Sequence, residues 1–287
     1  VLKAAEETPA SVAAMVDCLA EGLPPGAVQL VYGVPADVSQ TLIASPVIRN
    51  VTFTGSVPVG RHLAQLAGKH LKRITLELGG HAPVIVCADA DLARAVPLLV
   101  AQKFRNAGQA CLAPTRFFVA RARYGDFLDA FAGAARQLRV GAGLDAASQM
   151  GPVANARRQG ALRELVARTL TQGSRVLAGE APQEGFFLPP MVLADVPDTA
   201  PAMQEEPFGP LACVTPFDTL DEAITRANAN AYGLAGYLFT DSARSIHAVS
   251  QGLEVGSLAV NGVNVSVPEA PFGGVKDSGH GSESGTE

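Results

Sequence analysis

The chain has 287 residues, 48% hydrophobic and 17% charged, with a net charge of −5. That describes a globular protein able to bury one large core or two moderate ones, and it excludes a disordered chain. No basic stretch offers itself to nucleic acid, and no run approaches the roughly 18 apolar residues of a membrane span, so neither partner is expected.

In chain order, Val12, Met15, Val16 and Leu19 predict a helix over residues 11–21, closed by Gly22 ahead of Pro24 and Pro25. A β-prone apolar run predicts a strand over 27–32, followed by a helix over 37–44 and a strand over 51–54. Gly55 and Ser56 turn the chain into a helix over 59–69, and a strand over 74–77 ends at Gly79 and Gly80. A strand over 83–86, a helix over 92–106 and a strand over 115–120 come next. The helix over 124–138 carries Phe127, Leu128, Phe131 and Ala135, and a polar stretch over 140–155 leads to a helix over 156–172. Strands over 175–178, 191–194 and 211–216 precede a helix over 220–228, a strand over 235–240, one more helix and a strand over 257–261. Strands separated by helices indicate βαβ units and a parallel sheet. A domain boundary is expected at the adjacent glycines Gly79 and Gly80.

Cys18, Cys87, Cys111 and Cys213 lie far apart with no CxxC pair, which fits reduced thiols in the cytoplasm better than a disulfide framework. The five histidines are scattered, so no metal site is expected. The chain opens on Val1 and stops at Glu287, and both ends are expected to be cut from a longer protein.

Four places carry groups capable of chemistry. Cys111 follows an amphipathic helix where a loop can expose it, as a thiolate nucleophile requires. A buried structural thiol is the competing reading, and spacing alone leaves the two level. Glu77 ends an apolar strand beside a glycine pair, where partial burial would raise its pKa towards the range of a general base. A capping or surface carboxylate is the plainer alternative. Phe53-Thr-Gly-Ser56 runs from a strand into a helix N-terminus suited to phosphate, although ordinary strand–helix turns look the same. Glu205-Glu206-Pro-Phe-Gly-Pro210 sets two carboxylates ahead of a rigid turn.

Taken together, Phe53-Thr-Gly-Ser56, Glu77-Leu-Gly-Gly80, Gly108-Gln-Ala-Cys111, Glu206-Pro-Phe-Gly-Pro210 and Pro271-Phe-Gly-Gly-Val-Lys276 resemble the aldehyde dehydrogenase superfamily. The five motifs stand in the family's order, with its 34-residue step from Glu77 to Cys111. The run Lys103-Phe-Arg-Asn-Ala-Gly-Gln109 is most similar to the succinate-semialdehyde dehydrogenase branch. The resemblance implies that Cys111 attacks the aldehyde carbon and that Glu77 activates the water that hydrolyses the resulting thioester. The Cys111 N–H would supply half of the oxyanion site; the asparagine that supplies the other half should precede Val1.

By the same resemblance, Lys3 and Glu6 hold the adenine ribose, Ser56 meets the pyrophosphate, and Gly80, Glu206 and Phe208 belong to the nicotinamide ribose site. A carboxylate at Glu6 would repel a 2′-phosphate, which favours NAD, with NADP the alternative. The family's Lys-Pro reads Lys3-Ala4 here. Arg105, six residues before the nucleophile, and Ser266, five before Pro271, match contacts to a substrate carboxylate such as that of succinate semialdehyde. A helix-end salt bridge is the structural alternative for Arg105.

The implied fold is α/β: a partial Rossmann-type cofactor domain over 1–79, an α/β catalytic domain of the aldehyde dehydrogenase type over 80–273, and a return segment over 274–287 leading to an oligomerisation strand beyond the chain. A homodimer or homotetramer is expected at full length. Two rival functions stay open: an inactive fragment serving as a binding or assembly module, and a nucleotide-independent thiol esterase.

Overall fold

The structure, a computed structural model, describes residues 1–179 and 184–285. The last two residues of the expected return segment, 286 and 287, therefore lie outside the described residues. The chain divides into two compact units, Val1–Phe53 with Pro58–Ile74, and Thr54–Val57 with Thr75–Glu287.

In the first unit, β1 (Leu2–Lys3) is followed by α1 (Pro9–Ala20), β2 (Leu30–Val31), α2 (Pro35–Ala44), β3 (Asn50–Thr54) and α3 (Val57–Lys69). Helices α1 and α2 each open on a proline, whose missing N–H would have had no intrahelical partner there. Strands β1 and β2 pair in parallel, Leu2 opposite Leu30 and Lys3 opposite Val31. The strand expected over 27–32 shortens to Leu30–Val31 because β1 offers it only two partners. Helix α3 turns Gly60, Leu63 and Ala67 inward at helical spacing. The Lys72 ammonium ties the end of this unit by donating to the carbonyls of Ser45 and Ile48 at 2.8 and 2.7 Å.

The second unit runs from the end of β4 (Arg73–Glu77) through β5 (Ala82–Val86), α4 (Leu92–Phe104), β6 (Pro114–Ala120), α5 (Tyr124–Arg136) and α6 (Ala156–Leu170). It continues with β7 (Arg175–Ala178), β8 (Met191–Ala194), α7 (Pro201–Gln204), β9 (Leu211–Phe217), α8 (Leu220–Asn228) and β10 (Tyr232–Gly233). The last elements are β11 (Ala235–Phe239), α9 (Ala243–Gly252), β12 (Ser257–Val260), β13 (Val275–Lys276) and β14 (Gly279–His280). Seven strands form one sheet in the order β12-β11-β5-β6-β9-β8-β7. All neighbours run parallel except β7, which lies antiparallel on the edge against β8.

Strands buried on both faces account for the unbroken apolar runs. Alternate residues of β5 and β6 feed two cores: Val84, Val86, Phe117 and Val119 pack with Phe127 and Phe131 of α5, while Ile85 and Phe118 pack with Val249 of α9. Phe117, Phe127 and Phe131 are fully buried, with ring centroids 4.9 to 6.1 Å apart. Each such side chain contributes roughly 1.5–3 kcal/mol, so this cluster fixes α5 on the sheet.

The connections matter more for function. Gly80, Cys111 and Glu206 all fall in loops just ahead of β5, β6 and β9, which are neighbours in the sheet. Three short loops thus converge where the central strands of the sheet begin. Glu77 comes to that end from a different strand, held by antiparallel pairing that sets Gly279 opposite Glu77 and His280 opposite Leu76.

Candidate active site

Glu77 is the last residue of β4 and only 3% exposed. The backbone around it is pinned, since Leu78 N–H donates to the Ser278 carbonyl at 2.9 Å. The buried Ser278 hydroxyl donates to the Gly79 carbonyl at 2.7 Å and accepts from Gly233 N–H at 2.9 Å. Among the described residues neither Glu77 carboxylate oxygen has a hydrogen-bond partner. A bare carboxylate out of water resists ionisation, and burial first, then the Glu283 carboxylate, push its pKa up to about 7. A Cβ at Gly273 would strike the Gly281 carbonyl oxygen, so a glycine there lets two backbone segments close beside the Glu77 carboxylate.

The helix expected over 92–106 stops at Phe104 and tightens into a short 3₁₀ turn over Arg105–Gly108. Asn106 (φ 52°), Ala107 (φ 53°) and Gly108 (φ 69°) are consecutively left-handed, which only the glycine adopts without strain. Local hydrogen bonds hold the turn: Asn106 Nδ2 donates to the Gln109 carbonyl at 2.9 Å, and Gln109 Nε2 to the Asn106 carbonyl at 3.1 Å. Ala154 N–H donates to Gln109 Oε1 at 2.8 Å, tying the turn to the next segment. Beyond it stands Cys111, half-buried, followed by a Leu112 carbonyl that accepts from the buried Tyr237 hydroxyl at 2.6 Å.

The surroundings of Cys111 are partly open but not electropositive. Burial, then the Glu206 carboxylate, push the thiol pKa above its ordinary value, with Glu77 adding to the rise. At rest near neutral pH the side chain is a thiol, and forming the nucleophile requires loss of that proton.

Glu206 and the glycine pair complete the arrangement. Gly80 N–H donates to Glu206 Oε1 at 3.0 Å. A Cβ at Gly79 would strike Glu206 Oε2, and one at Gly80 would strike the Cys111 carbonyl oxygen. The chain therefore brings the Glu206 carboxylate and the Cys111 backbone onto two residues that carry no side chain. Burial raises Glu206 to about 7, opposed by the Gly80 N–H and by Arg158 and Lys103. Phe208 is left-handed (φ 39°), with the Arg158 guanidinium 5.9 Å from its ring centroid and donating to the Pro207 carbonyl at 3.3 Å. Gly80→Ala is expected to displace the Cys111 loop and to lower kcat/KM by on the order of 10²-fold, as misplacement near 1 Å does. A near-normal kcat/KM in the purified variant would show that the contact tolerates a methyl group.

The sequence pattern of the aldehyde dehydrogenase family matches residues 1–287. The chain belongs to that family. It is 74% identical over 287 residues to 4-(hydroxymethyl)benzenesulfonate dehydrogenase of Comamonas testosteroni, covering all of this chain and 60% of the relative. It is 41% identical over 291 residues to the succinate-semialdehyde dehydrogenase of Paenarthrobacter nicotinovorans, covering 100% of this chain and 65% of that one. A crystal structure of a Mycobacterium tuberculosis aldehyde dehydrogenase complexed with NAD+ superposes with a TM-score of 0.94 at 38% identity, covering 99% of this chain and 59% of the other. The chain thus spans about three-fifths of the length of the Comamonas relative.

The remaining residues expected from the aldehyde dehydrogenase motifs are spread more widely. Lys3 lies half-buried on β1 and Glu6 is exposed just after it, both in the first unit. Ser56 is exposed directly ahead of α3, in the Thr54–Val57 part of the second unit. Arg105 is exposed at the end of α4, with no ion pair among the described residues. Its charge reaches the Tyr237 hydroxyl. Ser266 is exposed in the segment after β12.

Sequence reasoning missed Ser278, Lys103 and Arg158. Ser278 had a signal in its place two residues beyond the Pro271-Phe-Gly-Gly-Val-Lys276 motif, and Lys103 in opening the Lys103-Phe-Arg-Asn-Ala-Gly-Gln109 run. Lys103 and Arg158 sit on helices where a cation ordinarily faces water.

Proposed function

We propose that the protein oxidises an aldehyde carrying a fixed anionic group to the corresponding acid, with NAD as oxidant, through a thioester on Cys111. The observation that carries this reading is Glu77, a buried carboxylate with neither oxygen hydrogen-bonded among the described residues and a pKa of about 7, whose charge reaches the Cys111 thiol. A carboxylate kept bare at that pKa is suited to take a proton from water near neutral pH. Cys111 loses its proton and adds to the carbonyl carbon, giving a thiohemiacetal whose oxygen the Cys111 N–H faces. Oxidation leaves a thioester. Glu77 then deprotonates the water that attacks it, and the acid departs as the thiolate reforms.

The residues present fit a dinucleotide. Gly79 and Gly80 leave backbone bare beside the Glu206 carboxylate, and Ser56 precedes a helix whose first N–H groups lack intrahelical partners. In the second unit, Ser56 is assigned to the pyrophosphate, and Gly80, Glu206 and Phe208 to the nicotinamide ribose. In the first, Lys3 and Glu6 are assigned to the adenine ribose, where the Glu6 carboxylate favours a free 2′-hydroxyl and hence NAD over NADP. When bound, NAD supplies the two-electron oxidant for the aldehyde carbon. Glu206, held by Gly80, gives the site a use that a nucleotide-independent esterase would lack.

For the substrate, Arg105 offers an exposed guanidinium without an ion-pair partner among the described residues, suited to a carboxylate or a sulfonate. The Comamonas relative is named for a benzyl alcohol sulfonate, but a thiol nucleophile needs a carbonyl carbon. The matching substrate is the aldehyde of that compound, 4-formylbenzenesulfonate. The Paenarthrobacter relative supports succinate semialdehyde as the second choice. Absorbance in the NADH band tests this with both anionic aldehydes and with benzaldehyde. Arg105→Ala is expected to raise KM about 10- to 100-fold for the anionic aldehydes and less than about twofold for benzaldehyde. Equal changes for all three would remove Arg105 from substrate binding, and turnover without NAD would favour the esterase.

A further inference from the structure

Helix α4 brings a second charged side chain to this end of the sheet, and the proposed chemistry leaves it unused. Lys103, in the last turn of α4, is 0% exposed, and its Nζ donates to the Gly209 carbonyl at 2.9 Å. Among the described residues it has no ion-pair partner, and burial pushes its pKa down to about 7. A buried ammonium with so little compensation is costly, and a methionine would fill nearly the same volume without that penalty. The ammonium's contribution therefore lies in what it holds.

What it holds is the turn that presents Glu206. Gly209 is three residues beyond Glu206, and between them Phe208 is kept left-handed at φ 39°. Arg158 grips that turn at the Pro207 carbonyl, and Lys103 grips it at Gly209. The same ammonium touches the turn leading to the nucleophile. A Cβ at Gly108 would strike the Gly209 carbonyl and stand 3.2 Å from Lys103 Nζ. The two turns are thus packed backbone against backbone across a single buried cation. Its charge also reaches Glu206.

We propose that Lys103 is a positioning residue for the Glu206 carboxylate, holding the Gly209 carbonyl against the Cys111 turn and so fixing where that carboxylate meets the nicotinamide ribose. The inference rests on the assignment of Glu206 to the cofactor. The Cys111 turn and the Glu206 turn, joined by a Lys103–Gly209 hydrogen bond that spans 106 residues of chain, need such a brace to share one geometry.

The test measures KM for NAD+ and for aldehyde in the full-length protein and in K103M, E206Q and the K103M/E206Q double variant. K103M is expected to raise KM for NAD+ roughly tenfold while changing that for aldehyde less than about twofold. In the E206Q background the same substitution should move KM for NAD+ less than about twofold, because residues acting as a unit are not additive. An equal effect in both backgrounds, as a general loss of packing would produce, overturns the proposal. So does E206Q raising KM for NAD+ while K103M leaves it unchanged, which removes Lys103 alone. If E206Q itself leaves KM for NAD+ unchanged, the cofactor role of Glu206 falls and the proposal falls with it. Should K103M not fold, K103Q is read by the same criteria.

Discussion

Cys111→Ala is expected to abolish aldehyde oxidation, by a factor on the order of 10⁴ or more, while NAD+ binding stays within about twofold of the parent protein. The asymmetry follows from where the atoms lie. Of the groups assigned to the nicotinamide ribose, Gly80 meets Cys111 through its backbone, where a Cβ would strike the Cys111 carbonyl oxygen, and Glu206 is held by the Gly80 N–H. Removing the sulfur leaves that backbone, and the Tyr237 bond to the next carbonyl, in place. The bond-forming atom is lost and the cradle is not. Isothermal titration with NAD+ and NADH absorbance during turnover, on one preparation, separate the two effects.

Glu77→Gln is expected to lower steady-state turnover by about 10²- to 10⁴-fold, the range for loss of a general base. The loss should fall on hydrolysis of the thioester and not on its formation. Glu77 is one of the carboxylates that hold the Cys111 thiol above its ordinary pKa, so neutralising it eases ionisation of the nucleophile. A first turnover that releases NADH at a near-normal rate, followed by a slow steady state, is the expected trace. The pH dependence has a definite sign. Glu77 acts as a base only when ionised, so turnover of the parent enzyme should rise as pH climbs through about 7 and level off above it. That limb should disappear in the variant. Glu206 also titrates near 7, but its ionisation should register in KM for NAD+ and leave the hydrolytic step alone. A variant that loses the first-turnover burst as well would place Glu77 at thiol activation instead.

Much of this site was readable in the sequence because glycines and motif order mark it. The strand ending at Glu77, the helix leading to Cys111 and the turn at Glu206 were each predicted within a few residues. What could not be read has physical causes. Of the three left-handed residues ahead of Cys111, asparagine and glycine tolerate that conformation but Ala107 gives no sign of it, and so the predicted helix over 92–106 ran too far. Strands β1, β10, β13 and β14 have two residues each, too few to show alternation. A buried lysine looks in sequence like any surface lysine, which hid Lys103. The Cys111 rise comes from burial first and then from carboxylates 95 and 34 positions away along the chain, at Glu206 and Glu77, none of which the local sequence shows.

The most direct test of the central claim is to look for the thioester itself. Glu77→Gln protein is mixed with NAD+ and 4-formylbenzenesulfonate, or with succinate semialdehyde, quenched in acid, and analysed by intact mass and peptide mapping. One acyl group per chain, on Cys111, dependent on NAD+ and released by hydroxylamine, is the predicted result. An unmodified protein after NADH has formed, or an acyl group on the exposed Cys18 in place of Cys111, would contradict it.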